Sequence, residues 1–167
     1  MNSLQTEKVV TAGWFLYLEP LQQELVKHAL ELYHRELALQ SDLPDYSFLV
    51  FTMSKAYEGF LKKYLLDLKF ISAKVYEGRK FRIGRALNPD VHTNHRDEYW
   101  LYDDLAQVCG PELARQLWET WLQCRNRVFH YFPSDPNIID LETAAKFLAM
   151  LVSAMEKAFV CKISLKK

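Results

Sequence analysis

Apolar positions along this chain recur at the three- and four-residue steps of helices over most of its length. Pro20 suits the first turn of a helix running to about Gln40, with Leu21, Leu25, His28/Ala29, Leu32 and Leu39 at helical spacing. The break Gln40-Ser41-Asp42-Leu43-Pro44 offers Asp42 or Asp45 as cap for a longer second helix, about Asp45 to Phe70. Leu49, Met53, Ala56, Phe60, Tyr64 and Leu68 line one side of it. A third helix, about Asp97 to Val108, stops at Cys109-Gly110, and Pro111 opens a fourth. The fourth carries Leu113, Leu117, Trp121, Cys124 and Val128 and ends before Pro133. After the loop Phe132–Asn137, a fifth helix from about Asp140 to Val160 buries Leu141, Ala145, Leu148, Val152, Met155 and Phe159. The first dozen residues are polar and featureless.

Residues 72–96 lose the period. A short hairpin turning at Glu77-Gly78 fits Val75–Gly84, although two strands alone are marginally stable. The expected architecture is an all-α bundle of about five helices, with this small basic insertion between helices two and three. Five Gly and six Pro in 167 residues favour long helices over a many-stranded sheet, and the length suits one domain spanning 1–167. Lys plus Arg and Asp plus Glu both number 21, so overall charge is silent about partners. The insertion is not neutral: six basic residues face two acids between Lys74 and Arg96. Arg79, Lys80, Arg82 and Arg85 are therefore candidates to contact RNA phosphates, and Tyr76 and Phe81 to stack on its bases, against the alternative of a solvated loop. Cys109, Cys124 and Cys161 are odd in number and contain no Cys-x-x-Cys, which reads as three reduced thiols in a cytoplasmic protein. No apolar run approaches the roughly 20 residues of a membrane span.

The chemistry concentrates at Arg125-Asn126-Arg127-Val128-Phe129-His130. A guanidinium stabilises phosphate charge and an imidazole moves protons near neutral pH. Their spacing alone says little, since the chain holds eight Arg and five His. On an ideal helix the two side chains stand about 140° apart, so they converge only if the helix ends or tightens near Phe129. Asn126 precedes His130 by four residues, shares its face and can orient the ring. The competing reading gives Arg125 and Arg127 the duty of complementing the negative helix end, with His130 as an exposed capping residue. Cys124, beside Arg125, is either an activated thiol or a core residue, and its place on the apolar stripe favours the core. His92-Thr93-Asn94-His95 lacks the further ligands of a metal site, and no metal or cofactor is expected.

Arg125-Asn126-x3-His130, late in a helix of a small all-α domain, resembles the signature of the HEPN superfamily of ribonucleases. There an Arg is followed by a polar residue, commonly Asn, with the His four to six residues on. Ser54-Lys55-Ala56-Tyr57-Glu58-Gly59-Phe60-Leu61-Lys62 resembles the second-helix motif of the HEPN domain in the RNase LS toxin family, whose basic residue and Glu, three apart, join the Arg and His in the active centre. Lys55 and Glu58 fall on those positions. Three apart on a helix they share a face, and a plain solvated pair is the alternative. The likeness covers roughly residues 45–160.

The resemblance implies a homodimer in which Arg125 and His130 of two protomers meet, with Glu58 and Lys55 beside them and Asn126 and Arg127 in support. It implies metal-independent endoribonuclease activity that leaves a 2′,3′-cyclic phosphate, in a toxin or defence nuclease restrained by an antitoxin or other inhibitor protein. Related toxins paired with nucleotidyltransferases carry a Tyr two residues after the His. Here Tyr131 follows directly and Phe132 takes that place, so control at that Tyr is not carried over. A catalytically silent HEPN-like module that binds RNA or a partner enzyme is the alternative.

Overall fold

The central element of the computed structural model is a helix buried on nearly every side. The model describes residues 4–134 and 136–165, which are largely helical and contain no strand, as the all-α expectation requires. In chain order the helices are α1 (Thr6–Val10), α2 (Gly13–Tyr17), α3 (Pro20–Leu39), α4 (Ser47–Asp67), α5 (Ala73–Glu77), α6 (Ile83–Ala86), α7 (Tyr102–Cys109), α8 (Pro111–Trp121) and α9 (Leu141–Ser164). A 3-10 turn, Thr93–His95, lies between α6 and α7, and a π-helical segment, Leu122–Arg127, continues α8.

Helix α4 is central because its apolar positions exceed a single stripe. Val50, Tyr57, Leu61 and Leu65 are fully buried along with Leu49, Met53, Ala56, Phe60 and Tyr64. Helices α3 and α9 flank it, and α8 packs on α7 and α9. Two buried hydrogen bonds fix how α4 runs past the end of α8. Tyr57 Oη donates to the Leu117 carbonyl (3.0 Å), and Ser54 Oγ donates to the Cys124 carbonyl (2.6 Å). The second is needed because carbonyls in the last turn of a helix lack intrahelical partners. Phe51 then meets Phe129 edge to face at 5.4 Å, so 51, 54 and 57 descend against 129, 124 and 117. Removing Ser54 Oγ leaves the Cys124 carbonyl buried and unsatisfied. Ser54→Ala should therefore lower stability by about 1–3 kcal/mol, measured by urea unfolding.

The start of α4 and the approach to α9 are tied together. Asp45 accepts from the backbone N–H of Ser47 (3.1 Å) and of Ile139 (3.2 Å), and the Tyr46 N–H donates to the Ile139 carbonyl (2.9 Å). Burial opposes ionisation of Asp45, but the Ser47 hydroxyl, donating to Asp45 Oδ2 at 2.6 Å, and the N–H groups of Ser47 and Ile139 outweigh it and hold its carboxyl below the ordinary value. Asp140 caps α9 by accepting from the Thr143 N–H (2.7 Å).

Four expectations are corrected. The first dozen residues are not featureless: residues 1–3 lie outside the described residues, but Leu4 and Val9 are buried, with α1 on α3 and α2 on α9. Of the expected face of α3, Ala29 is buried and Leu25 and Leu32 pack on the core, but Leu21 and Leu39 at the ends are exposed, and contact with α4 centres the face on Val26, Ala29, Leu30 and Tyr33. The hairpin in the insertion does not form. Ser72 caps a helical turn by accepting from the Val75 N–H, and Ile83 in the short helix α6, with Phe81 and Leu87 on either side of it, is drawn into the core. The cysteines are not three free thiols. Cys109 and Cys161 form a disulfide, their Cα atoms 5.9 Å apart, within the usual span for such a bond, while Cys124 stays free and buried. An odd count is satisfied by one bridge and one core thiol. No helix among the described residues is long and apolar enough to cross a membrane.

Candidate active site

The register between α4 and the π-helical segment carries two of its polar side chains to one of Leu122–Arg127. Lys55 and Glu58 face outward from the buried side that holds Ser54 and Tyr57, and Arg125 follows the Cys124 carbonyl that Ser54 binds. Together with Phe51, Ser54 and Phe129, these three line a groove of about 270 Å³. Glu58 sits between two cations: its Oε2 lies 3.5 Å from Arg125 Nε and its Oε1 3.5 Å from Lys62 Nζ. Both distances exceed a good hydrogen bond, so the contacts are ion pairs. Because Glu58 meets Arg125 at Nε, the terminal Nη1 and Nη2 remain as donors, and neither makes a hydrogen bond to the described residues. The Arg125 guanidinium also lies over the Trp121 ring, 5.6 Å from its centroid. Lys55 is exposed and enters no ion pair among the described residues. With Lys55 and Arg125 against one carboxylate, the lining of the groove is positive.

The helix ends just before Phe129, one of the two expected outcomes, but it widens before it stops rather than tightening. Residues Leu122–Arg127 open into i→i+5 turns and then stop, with the His130 N–H closing on the Arg127 carbonyl (3.2 Å). A wider turn rotates less per residue, which brings positions five apart nearer one face than an α-helix does. Asn126 meets His130 as anticipated, with Asn126 Oδ1 and His130 Nε2 3.1 Å apart. An amide oxygen only accepts, so this bond requires the proton on Nε2 and leaves the Nδ1 lone pair available. Asn137, in the left-handed region at φ 54°, donates from Nδ2 to the His130 carbonyl (2.6 Å) and fixes the loop after it.

Lys55, Glu58 and Arg125 are thus together, and Ser54, Lys62, Phe51 and Phe129 complete their surroundings. His130 is exposed, 6.2 Å from the Phe132 ring, and does not line the groove in a single copy. Arg127 is exposed and contributes its backbone carbonyl only. Cys124 is a core residue: burial pushes its thiol up to about 12, far from an activated thiolate. Comparison with protein-family models, curated proteins and solved structures finds no match to the chain. The site is read from its own geometry.

Of the other sequence candidates, His92 and His95 sit exposed on the 3-10 turn with rings 6.0 Å apart, and His92 Nδ1 accepts from the Asn94 N–H. No group of three or more His, Cys, Asp or Glu fit to hold a metal occurs among the described residues. Arg79, Lys80, Arg82 and Arg85 line a second concavity, separate from the groove. Phe81, expected to stack on bases, is buried instead, and Tyr99 rather than Tyr76 stands at that wall. Lys62 is legible in the sequence, since it lies four residues from Glu58 on one helical face. Ser54, Phe51 and Phe129 carry no such local signal, because their roles arise only when α4 meets the π-helical segment.

Proposed function

We propose that this protein is a metal-independent endoribonuclease of the HEPN type, working as a homodimer on RNA. The observation that carries the reading is the groove in which Lys55 and Glu58 meet Arg125, distant in the chain, about one turn before an imidazole held by Asn126. His130 Nδ1 of one protomer takes the proton of a ribose 2′-OH, and the oxygen attacks the adjacent phosphorus. The phosphorane charge is stabilised by Arg125 Nη1 and Nη2 and by Lys55. Glu58 orients the guanidinium through Nε. The P–O5′ bond breaks, and the partner's copy of the imidazole, or water, protonates the leaving oxygen. The products are a 2′,3′-cyclic phosphate and a 5′-hydroxyl, and DNA is inert because it lacks the nucleophile.

The proposed dimerisation is supported by exposed aromatics on the segments that form the site: Phe51, which meets Phe129, and Tyr131 and Phe132, which follow His130, are all more than half exposed. An isologous seam there would set each His130 against the other protomer's groove. The proposed setting is the cytoplasm, with an antitoxin or other inhibitor protein restraining the activity.

A second reading, a silent module that binds RNA or a partner enzyme, is favoured by one observation: His130 does not line the groove of its own chain. Incubating the purified protein with labelled RNA in EDTA and identifying the new 3′ ends separates the two. Cyclic-phosphate ends that appear with RNA and not with DNA support catalysis, and intact RNA at enzyme excess supports the silent module.

A further inference from the structure

The basic insertion encloses a concavity of about 730 Å³ on the surface between α5, α6 and Tyr99. Lys74, Arg79, Lys80, Arg82 and Arg85 line it, and no carboxylate does. Only Arg85 is neutralised, by Asp97 at 2.7 Å; the other four enter no ion pair among the described residues. The charges are unequal in freedom. Arg82 is held by the carbonyls of Arg79 and Phe81, and Arg85 by Asp97 and the His95 carbonyl (3.3 Å), so these two are fixed in place. Lys74, Arg79 and Lys80 keep their donors for something else. One wall is aromatic: Tyr99 is 38% exposed and rests edge to face on buried Phe81, with ring centroids 6.3 Å apart.

We propose that this concavity is a subsite for single-stranded RNA, taking a backbone phosphate on Lys74, Arg79 and Lys80 and an unstacked base on Tyr99. Crowded cations without counter-charge repel one another, and an anion relieves that repulsion. A bare anion has no use for the aromatic wall, whereas a nucleotide unit engages both. A duplex does not offer its bases to such a wall, and a single strand does. The subsite is also connected to the candidate active site. Gly84 of α6, between Arg82 and Arg85, lies so close to Trp121 that a Cβ would stand 2.2 Å from the ring. Helix α6 therefore sits directly on the indole whose ring faces Arg125. Trp121 thus links the guanidinium of the groove to the helix beside the concavity. The assignment of RNA as ligand rests on the proposed function, but binding here does not require cleavage.

The test uses the full chain carrying Arg125→Ala, which removes the proposed chemistry, and a labelled oligouridylate followed by fluorescence anisotropy across a salt series. Adding Arg79→Glu and Lys80→Glu should weaken binding at least tenfold. It should also flatten the plot of log affinity against log salt by about 0.7 for each phosphate no longer neutralised. Tyr99→Ala should weaken binding roughly tenfold without changing that slope. Both sites are exposed, and an unchanged thermal midpoint confirms folding; if the double charge reversal unfolds, Lys74→Glu takes its place. Unchanged affinity and slope in the charge reversals overturn the subsite. So does equally tight binding of uridine monophosphate alone, which would make it a nucleotide site, or of the base-paired duplex. Loss of binding in a protein that never cleaves RNA leaves the subsite standing and removes the nuclease, so the two failures are told apart.

Discussion

His130→Ala should reduce RNA cleavage by roughly 10²- to 10⁴-fold, the contribution of a positioned general acid–base, and leave the fold as it was. The imidazole is exposed, and among the described residues its one side-chain bond is to Asn126 on its own segment, so its loss should change stability by no more than about 0.5 kcal/mol. Arg125→Ala should cost about 10²- to 10³-fold in kcat, as for other donors aimed at developing anionic charge. Arg125→Lys should recover little of it, because one ammonium cannot serve Glu58 and two phosphorane oxygens together. Asn126→Ala should give a smaller loss, since it frees the ring without removing it. The double variant His130→Ala with Arg125→Ala should be hardly worse than the more damaging single change, because groups acting as one unit are not additive. Cleavage that persists at the original rate in the His130→Ala protein would end the proposal, while retained affinity with lost turnover is the expected pattern. Unfolding midpoints measured in parallel keep a folding defect from passing for a catalytic one.

How much of the molecule is legible in its sequence depends on whether the deciding contact is local. Helices α3, α4 and α9 lie close to their expected bounds, whereas the fourth helix stays α-helical only to Trp121 and continues as the π-helical segment to Arg127. The face of α3 keeps the expected Leu25, Ala29 and Leu32 but not Leu21 and Leu39, which are apolar and in phase yet project into solvent, while contact with α4 adds Val26 and Leu30. In the insertion the alternation of Val75–Gly84 suggests strands. What decides the outcome is burial of Phe81, Ile83 and Leu87, which needs no partner strand. At the site, Glu58 with Lys62 and Asn126 with His130 are four-residue relations readable in one dimension. The approach of Arg125 to Glu58 is not. It depends on Ser54 taking the Cys124 carbonyl and on the π-helical widening, and nothing in the order of residues announces either.

Breaking the Cys109–Cys161 disulfide should lower stability by about 4 kcal/mol, the largest effect on folding expected from any change away from the core. The bridge spans 52 residues of sequence, and in the chain-entropy account a loop of that length contributes between about 3 and 4.7 kcal/mol by restricting the unfolded chain. It joins the last residue of α7, a helix that packs chiefly on α8, to the final turn of α9. Near it, Lys162 pairs with Asp67 at 3.0 Å and lies 4.2 Å from the Tyr17 ring centroid, and Tyr17 Oη donates to Asp67 at 2.8 Å. Burial raises the Tyr17 phenol and the Asp67 carboxylate raises it further, so this cluster keeps one acid and one neutral donor through the neutral range. These contacts anchor α9 to α2 and α4 but not to α7, so they replace only part of what the bridge supplies. Urea unfolding of Cys109→Ala with Cys161→Ala should show the loss, and dithiothreitol should reproduce it in the unaltered protein while leaving the variant unaffected. Cleavage by folded protein should be the same in both forms, because the bridge shares no residue with the groove of Lys55, Glu58 and Arg125. Equal midpoints for the oxidised protein and the variant would show that the bridge does not constrain the unfolded chain, and that α7 and α9 are held by packing alone.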